Sequence, residues 1–260
     1  MQLGYQNARA WHISIGLVCA CLCARGDLIH GCSFLVTSRQ DVPLPKETAA
    51  FDDPAHWNFF MKLRGPDLTN HVTVNKFLFL HNLLHMTGEI TAQPFYDDER
   101  GVVALFNGEI YNYKEFGNYT SDGQSIIGAY HKFGERFTNK FRGEFAIVLL
   151  DFQKEVLVVS TDVFAIKPVW VAIENGNIGI ASYESALKRL SFSWPVEQAA
   201  NRVVVHSLKK GDGYKIIRRY SVFDFDLRQH KASFKDWDAA FTKSMQRRTE
   251  DVLHGAYPVN

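Results

Sequence analysis

The chain has 260 residues, of which 46% are apolar and 22% are charged, and its formal net charge is +1. This composition is that of an ordinary soluble globular protein, long enough for one large domain or for one domain with appendages. The near-neutral charge and the lack of a basic stripe with interleaved aromatic residues argue against binding to nucleic acids or to acidic membranes.

Residues 1–31 differ in character from the rest of the chain. Their apolar stretch, 13–24, is too short to span a bilayer but has the length of a signal-peptide core. Three of the four cysteines, Cys19, Cys21 and Cys23, lie here, at a spacing that matches no common zinc site. We therefore predict no metal site, and we interpret 1–31 as an N-terminal extension that is either a targeting segment or a miscalled start.

From Cys32 onward, short apolar runs predict β-strands, and their near-continuous apolar character indicates burial on both faces of a sheet. These runs are 32–37, 71–81, 102–106, 145–150, 156–159 and 177–181. Helices are predicted in a short stretch at 57–63, at 126–137 after the capping pair Ser121-Asp122, and at 234–245 after the capping box Ser233 to Asp236. Strands mixed with a few helices predict a layered α+β domain.

Polar, turn-forming residues interrupt the apolar runs at three places. Arg64-Gly-Pro-Asp67 predicts a structural turn. Asn107-Gly108, at the end of an apolar run, is typical of a hairpin turn, but a side-chain amide beside a glycine N–H also supplies two donors for a tetrahedral oxyanion. Asp122 fits a helix cap, or a carboxylate that receives a substrate ammonium.

In this order, these segments resemble the class II glutamine amidotransferases, and among them the glutaminase half of asparagine synthetase B. The resemblance covers about residues 32–257. The Asn107-Gly-Glu-Ile-Tyr-Asn112 block is its most specific part. The other blocks are Cys32-Ser-Phe-Leu35, Arg64-Gly-Pro-Asp67, His81 to Gln93-Pro94, Ser121-Asp122, Phe141-Arg-Gly-Glu-Phe-Ala146, Asp162-Val-Phe-Ala-Ile-Lys-Pro168 and Ala181-Ser-Tyr-Glu-Ser-Ala-Leu187.

The resemblance implies a four-layer α/β/β/α sandwich of the N-terminal-nucleophile hydrolase type. It also implies that the thiol of Cys32 attacks the carboxamide of glutamine to form a thioester. Asn107 and Gly108 would then form the oxyanion hole, and Glu109 and Asp122 would hold the amino-acid end of glutamine. The free α-amine of an N-terminal cysteine would act as the base.

Two positions depart from the pattern of the family. Cys32 follows Gly31, so a free amine requires removal of 1–31 or a different translation start. Leu83 stands where the family usually places the arginine that pairs with the α-carboxylate of the substrate, and Asn82 or His85 could replace that arginine in part. Losing one partner of a buried charge pair typically costs about 2–5 kcal/mol.

The resemblance also predicts the domain organisation: an extension at 1–31, an amidotransferase domain at 32–225, and at 226–260 a linker helix with the start of a missing synthetase domain. Because the sequence contains no glycine-rich phosphate loop, we expect no cofactor in this chain and assign ATP and magnesium to a synthetase partner. We expect glutamine as the ligand, a cytoplasmic location, and no nucleic-acid or membrane partner. A homodimer stays open.

Three functions follow as alternatives. The first is an enzyme that hydrolyses glutamine and supplies ammonia to an ATP-dependent amide-forming partner. The second is a non-catalytic structural or interaction module, like the amidotransferase-like half of the β-lactam synthetases. The third is a hydrolase of another amide, for which an altered carboxylate pocket would be the signature.

Overall fold

The computed structural model describes residues 31–42, 56–85, 89–225 and 233–249. Within these ranges the chain forms twelve strands. They are β1 (Ser33–Thr37), β2 (Leu68–Val74), β3 (Phe77–Leu83), β4 (Phe95–Asp97), β5 (Val102–Ile110), β6 (Gly143–Asp151), β7 (Val156–Thr161), β8 (Trp170–Glu174), β9 (Asn177–Ala181), β10 (Val196–Glu197), β11 (Arg202–Ser207) and β12 (Ile216–Tyr220).

The same ranges contain four α-helices and three short 3₁₀ turns. The helices are α1 (Phe59–Arg64), α2 (Ser125–Phe133), α3 (Glu184–Arg189) and α4 (Phe234–Thr249). The 3₁₀ turns are Tyr113–Glu115, Asp122–Gln124 and Gly134–Lys140. The predicted short helix before the Arg64-Gly-Pro-Asp67 turn, the helix after Asp122 and the C-terminal helix are all confirmed.

The strands form two six-stranded sheets. The first sheet has the order β10-β8-β9-β1-β3-β2, and the second has the order β12-β11-β7-β6-β5-β4. Neighbouring strands pair antiparallel in both sheets. β1 therefore lies in the middle of the first sheet, between β3 and β9, and β5 lies near one edge of the second sheet.

Three buried clusters define four layers. One cluster joins strands of both sheets across their facing surfaces, for example Phe34 and Val36 of β1 with Leu105 of β5. A second packs α2 against the outer face of the second sheet. The third packs α1 and α3 against the outer face of the first sheet. The predicted α+β fold, a four-layer α/β/β/α sandwich, is confirmed.

This layering explains why the strands look continuously apolar in sequence. In β1, Phe34 and Val36 face the other sheet, whereas Leu35 between them packs among the helices. Because successive side chains point to opposite faces of a strand, a sheet with a covered surface on each side needs apolar residues at every position. Burial on both faces arises here in antiparallel sheets, although the same pattern is better known from parallel ones.

Two predicted strand boundaries were wrong. The run 71–81 is a hairpin of β2 and β3, whose turn contains Asn75 with a left-handed φ of 53°. Asparagine tolerates that conformation better than most residues. The run 102–106 continues to Ile110, so Asn107-Gly108 is not a hairpin turn and lies inside β5.

Helix α4 follows the predicted capping box, in which Ser233 Oγ donates to Asp236 Oδ2 at 2.7 Å. Its apolar residues Phe234, Trp237, Phe241 and Met245 are all exposed. Near its end, the guanidinium of Arg248 lies 4.9 Å from the ring centroid of Tyr111.

Among the described helices, none is long and apolar enough to cross a membrane. Most of 1–31, and 226–232 and 250–260, lie outside the described residues, so the domain boundaries at 31 and 225 stay predictions.

Candidate active site

Cys32 lies immediately before β1 and contacts the segment that follows β3. Its Sγ accepts a hydrogen bond from the amide of Leu84 at 3.4 Å and donates to the carbonyl of Leu84 at 3.6 Å. The β1–β3 register, in which Ser33 pairs with Asn82, brings these segments together. The thiol is therefore held at the end of two central, buried strands.

A buried polar network fixes the start of β1. Ser33 Oγ donates to the carbonyl of Met61 at 2.7 Å and accepts from Asn82 Nδ2 at 3.1 Å. Asn82 also exchanges two hydrogen bonds with Asn58, and its Oδ1 accepts from Thr69 Oγ1 at 2.9 Å. A satisfied network of this kind holds a single arrangement, because each lost bond would leave a buried polar group unpaired.

Gly108 is required by the close approach of β6. Its φ is +145°, a conformation that side-chain-bearing residues rarely adopt, and an added Cβ would lie 2.0 Å from the carbonyl oxygen of Glu144. Glycine therefore allows β5 to approach β6 closely without a shift in the strand register, and Gly108 lies opposite Phe145. The Asn107-Gly108 pair serves a close approach rather than a reversal of the chain.

Asn107 carries an unsatisfied polar atom. The residue is 1% exposed, and its Nδ2 has no hydrogen-bond partner. Val103 and Leu105, which share its face of β5, point towards the first sheet, so the Asn107 side chain points into the layer between the sheets. An unpaired buried donor is costly and requires an explanation, and a role in chemistry or binding is one of those that apply.

Asp122 is tied to the same strand. Its Oδ2 accepts from the amide of Ile110 at 2.8 Å, and its Oδ1 accepts from the amide of Gly123 at 2.8 Å. Burial raises the pKa of this carboxyl to about 6, although these hydrogen bonds lower it. With a pKa near 6 the carboxyl group is largely ionised at neutral pH, and its burial leaves it poorly solvated.

A cleft of about 50 Å³ brings most of the predicted residues together. Cys32, Gly108, Glu109 and Asp122 line it. Asn107 directly precedes Gly108 but is not among the lining residues. Gln93, which is buried, also lines the cleft and accepts from the amide of Phe106 through its Oε1 at 2.8 Å.

The thiol of Cys32 is not activated by its surroundings. Its pKa is raised to about 11, mainly by burial and to a smaller extent by the charges of Glu109 and Asp122, which together outweigh a backbone hydrogen bond from Leu84 and the charge of Lys167. The thiolate is consequently a small fraction at neutral pH, and nucleophilic attack requires a base.

The cleft wall also contains the residue that departs from the family pattern. Leu83 and His85 line the cleft. The amide of His85 donates to Asp67 Oδ2 at 2.7 Å, which ties this wall to the Arg64-Gly-Pro-Asp67 turn. The side chain of Asn82 is buried and forms hydrogen bonds with Ser33, Asn58 and Thr69. The prediction that Asn82 replaces an arginine in the cleft was therefore wrong.

Sequence reasoning assigned no separate role to His81 or Lys167. His81 is 1% exposed and its Nε2 has no partner, and burial lowers its pKa to about 3, so its imidazole is neutral. Lys167 follows a loop that Asp162 anchors by accepting from the amides of Phe145, Phe164 and Ile166. Both residues lie inside sequence blocks that resemble the amidotransferase family, so the resemblance was the signal that could have pointed to them.

A sequence model of the glutamine amidotransferase domain matches residues 52–221, which is more than half of the chain. The chain belongs to the glutamine amidotransferase domain family. The matched region of this amidotransferase domain contains Asn107, Gly108, Glu109 and Asp122. Cys32 lies before it, so the place of Cys32 beside these residues is a finding of the structure.

Relatives of the amidotransferase domain include amidases and asparagine synthetases. Amidase chyE of Penicillium rubens is 28% identical over 130 residues, covering 46% of this chain and 19% of the relative. The glutamine-hydrolyzing asparagine synthetase B of Escherichia coli is 30% identical over 138 residues, covering 49% of this chain and 25% of the relative. The chain thus spans about a quarter or less of these relatives.

Among solved structures, the amidotransferase domain is similar to the glutamine phosphoribosylpyrophosphate amidotransferase of B. subtilis. The TM-score is 0.45 at 15% identity, covering 54% of this chain and 34% of that one. Among the described residues of the domain, no group of three or more His, Cys, Asp or Glu is placed to hold a metal ion.

Proposed function

We propose that this chain hydrolyses the side-chain amide of glutamine to glutamate and ammonia, with Cys32 as the nucleophile. The observation that carries the proposal is the unpartnered Nδ2 of buried Asn107, in the strand whose next two residues line a cleft with Cys32. A donor without a partner in the free protein is available to an oxyanion that exists only during the reaction.

The reaction proceeds in two balanced steps. The sulfur of Cys32 attacks the amide carbon, and the negative charge on the carbonyl oxygen is received by the Nδ2 of Asn107 and the backbone N–H of Gly108. Collapse of this intermediate breaks the C–N bond and, with one proton added to nitrogen, releases ammonia. Water then attacks the thioester, which frees glutamate and restores the thiol.

Proton transfer is the demanding part of this scheme. Because the pKa of the Cys32 thiol is raised to about 11, a base must remove the thiol proton near neutral pH. A free α-amine on Cys32 itself, with an ordinary pKa near 8, is the base closest to the sulfur. In the chain as it stands, this nitrogen is in a peptide bond with Gly31, so the proposal requires that residues 1–31 are absent from the active form.

Glu109 and Asp122 are proposed to bind the ammonium of the substrate. Both line the cleft with the thiol, and the charges of both raise the pKa of the thiol, so each carboxylate lies within electrostatic reach of the reacting sulfur. A substrate ammonium bound beside these carboxylates is strongly attracted, because the surrounding protein screens the interaction weakly.

The relatives support a wider setting for this activity. Similarity to glutamine-hydrolyzing asparagine synthetases supports ammonia transfer to a synthetase domain or chain, where ATP and magnesium would act. On this view, 32–225 is the amidotransferase domain and 226–260 leads towards the partner. A cytoplasmic location and a homodimer belong to the same proposal.

The test is an assay on a chain whose start has been verified. Intact mass identifies chains that begin at Cys32, and the same sample is assayed for glutamate and ammonia in equal amounts. Cys32→Ala is expected to abolish release of both. Absence of hydrolysis by a chain verified to begin at Cys32 would contradict the proposal and favour a non-catalytic module. Turnover of another carboxamide alone would favour the amidase alternative, which the similarity to amidase chyE supports.

A further inference from the structure

We infer that Gln93 is a further catalytic residue of the cleft, and that its side-chain Nε2 donates to the oxygen of the scissile amide together with the backbone N–H of Gly108. This inference deepens the proposed function and rests on it for the attack by Cys32. It assigns the side chain of Gln93 to the negative charge that develops on that oxygen during the attack.

Gln93 is held in place from both sheets. Its Oε1 accepts from the amide of Phe106 in β5 at 2.8 Å, and its backbone carbonyl accepts from Nδ2 of Asn70 in β2 at 2.7 Å. The bond from a backbone N–H identifies Oε1 as the acceptor end of the carboxamide, so the other end is the donor Nε2. Both the position of Gln93 and the direction of its amide group are therefore determined.

The donor end of this side chain reaches the cleft. No described residue accepts a hydrogen bond from Nε2, and Nε2 is not among the fully enclosed atoms that lack a partner. Gln93 is only 4% exposed and lines the cleft, so the small accessible part of the residue includes Nε2 and faces the cleft. A nearly buried donor of this kind is available to an acceptor that enters with the substrate.

The edge of β5 places this donor beside the proposed oxyanion site. Alternate residues of a strand direct their N–H groups to the same edge. The amides of Phe106 and Ile110 donate to the side chains of Gln93 and Asp122. The amide of Gly108 lies between them on this edge, and Gly108 lines the cleft. The backbone donor is therefore flanked by Gln93 on one side and by Asp122 on the other.

The spacing along this edge allows one oxygen to contact both donors. A strand rises about 3.4 Å per residue, so the amides of Phe106 and Gly108 lie about 7 Å apart. Nε2 lies about 2.2 Å from the Oε1 that is bound to the first amide. An oxygen that accepts from two donors spans about 5–6 Å, which matches the remaining gap. Since Asp122, the proposed ammonium site, lies on the far side of Gly108, the acceptor nearest Gln93 is the amide oxygen rather than the α-carboxylate.

The first test is kinetic and uses the chain verified to begin at Cys32. Gln93→Glu keeps an oxygen for the amide of Phe106 and replaces the donor, so kcat is expected to fall by about 10²–10³ while KM changes little. The ratio of its kcat to that of the wild type should rise as the pH falls, because a protonated carboxyl group again offers a donor. Gln93→Met introduces no charge and is expected to give a similar fall in kcat at every pH.

Gln198 provides the matched control. It is also buried, but its Nε2 donates to the carbonyl of Val159 at 2.8 Å, and it does not line the cleft. Gln198→Glu and Gln198→Met are expected to lower the urea midpoint of unfolding and to leave kcat and KM unchanged. A merely structural role of Gln93 would give the same pattern as Gln198.

An aldehyde provides a second test that needs no leaving group. The thiol of Cys32 can add to L-glutamate γ-semialdehyde, so that a C–S bond forms, the thiol proton moves to the oxygen and a tetrahedral adduct results. The affinity for this aldehyde, measured by calorimetry, is expected to fall at least about tenfold in Gln93→Met. Binding of glutamine to the Cys32→Ala chain should change little when Gln93→Met is added.

The outcomes separate the inference from the proposed function. An unchanged kcat and aldehyde affinity in the Gln93 variants, or a rise in KM alone, overturns the inference while leaving hydrolysis intact. Aldehyde binding that depends on Gln93, in a chain that releases no ammonia, supports the inference and removes the proposed function. A wild-type chain that neither hydrolyses glutamine nor binds the aldehyde overturns both.

Discussion

The sulfur of Cys32 lies 3.4 Å from the amide nitrogen and 3.6 Å from the carbonyl oxygen of Leu84, so one backbone residue contacts the thiol through both of its polar groups. This contact aligns the sulfur but does not outweigh burial, which keeps the thiol protonated. The position of the nucleophile and its activation are therefore separate properties of this site.

The first prediction concerns the reactivity of Cys32 in the chain that retains Gly31. Because its pKa is raised to about 11, alkylation by iodoacetamide should be half-maximal near pH 11. Tryptic digestion isolates Cys32 in the peptide 26–39, separate from Cys19, Cys21 and Cys23, so mass spectrometry can follow it alone.

Two controls accompany the alkylation profile. Lys167→Met should raise the pKa of Cys32 further, whereas Lys188→Met, at an exposed position of α3, should leave it unchanged. In urea the profile should return to that of glutathione. A midpoint near pH 9 in the folded chain would contradict the role of burial.

The second prediction compares two buried asparagines. Asn107→Ala removes a donor that has no partner in the free protein, so kcat should fall by about 10²–10³ while KM changes little. Asn82→Ala breaks a satisfied network and should lower the free energy of unfolding by about 1–3 kcal/mol. Kinetics and urea unfolding of both variants check this, and a loss of stability in Asn107→Ala that matches that of Asn82→Ala would refute the distinction.

The third prediction concerns Gly108. Its alanine variant would place Cβ 2.0 Å from the carbonyl oxygen of Glu144 at a φ of +145°, so β5 and β6 must separate. Gly176, in the turn between β8 and β9, also has a positive φ, of +71°, but an added Cβ there meets nothing within 4 Å. Gly176→Ala should therefore cost only about 1–2 kcal/mol, and Gly108→Ala should cost clearly more. Thermal unfolding measures both, and equal costs would show that the close approach relaxes readily.

The fourth prediction concerns pH. The pKa of Asp122 is raised by burial from 3.8 to about 6, so folding favours its protonated form. Its stabilising contribution is complete below about pH 4 and is lost as the pH rises through about 6. Asp122→Asn should therefore reduce the fall in the free energy of unfolding between pH 4 and pH 7. Urea titrations at several pH values measure this.

Asp97 serves as the control of opposite sign. Its pKa is lowered, because hydrogen bonds from the Arg100 amide and from His131 outweigh the effect of burial. Its contribution to stability is therefore present above its ordinary pKa and is lost as the pH falls. Asp97→Asn should change the acid side of the profile in the opposite direction. Identical profiles for the two variants would contradict both assignments.

Much of the layered fold could be predicted because burial leaves a direct signal in sequence. The run 145–150 is apolar at every position since its strand faces a covered surface on both sides. The hairpin at Asn75 was missed because its turn is only two residues long, which is too short to separate the two strands in the sequence pattern. The continuation of β5 through Asn107-Gly108 was missed because a tight turn and a close strand approach both require glycine.

The candidate site could be predicted only through the order of its blocks. Nothing local in the sequence relates Cys32 to Glu109 or Asp122, which are distant along the chain and meet only when the two sheets stack. The commitment of Asn82 to Ser33 and Asn58 was equally hidden, because it depends on which face of β3 the side chain occupies. The pKa of Cys32 also depends on burial that spacing does not reveal.

The central position of β1 and the exposure of α4 determine how these two elements should lose their structure. Its amide protons, flanked by β3 and β9 and carried by fully buried residues, should exchange with deuterium only when the whole domain opens. Helix α4 has no buried residue and should exchange much earlier. A nucleophile at the start of β1 would then be lost in a single cooperative step with the domain, while the C-terminal helix melts and re-forms independently.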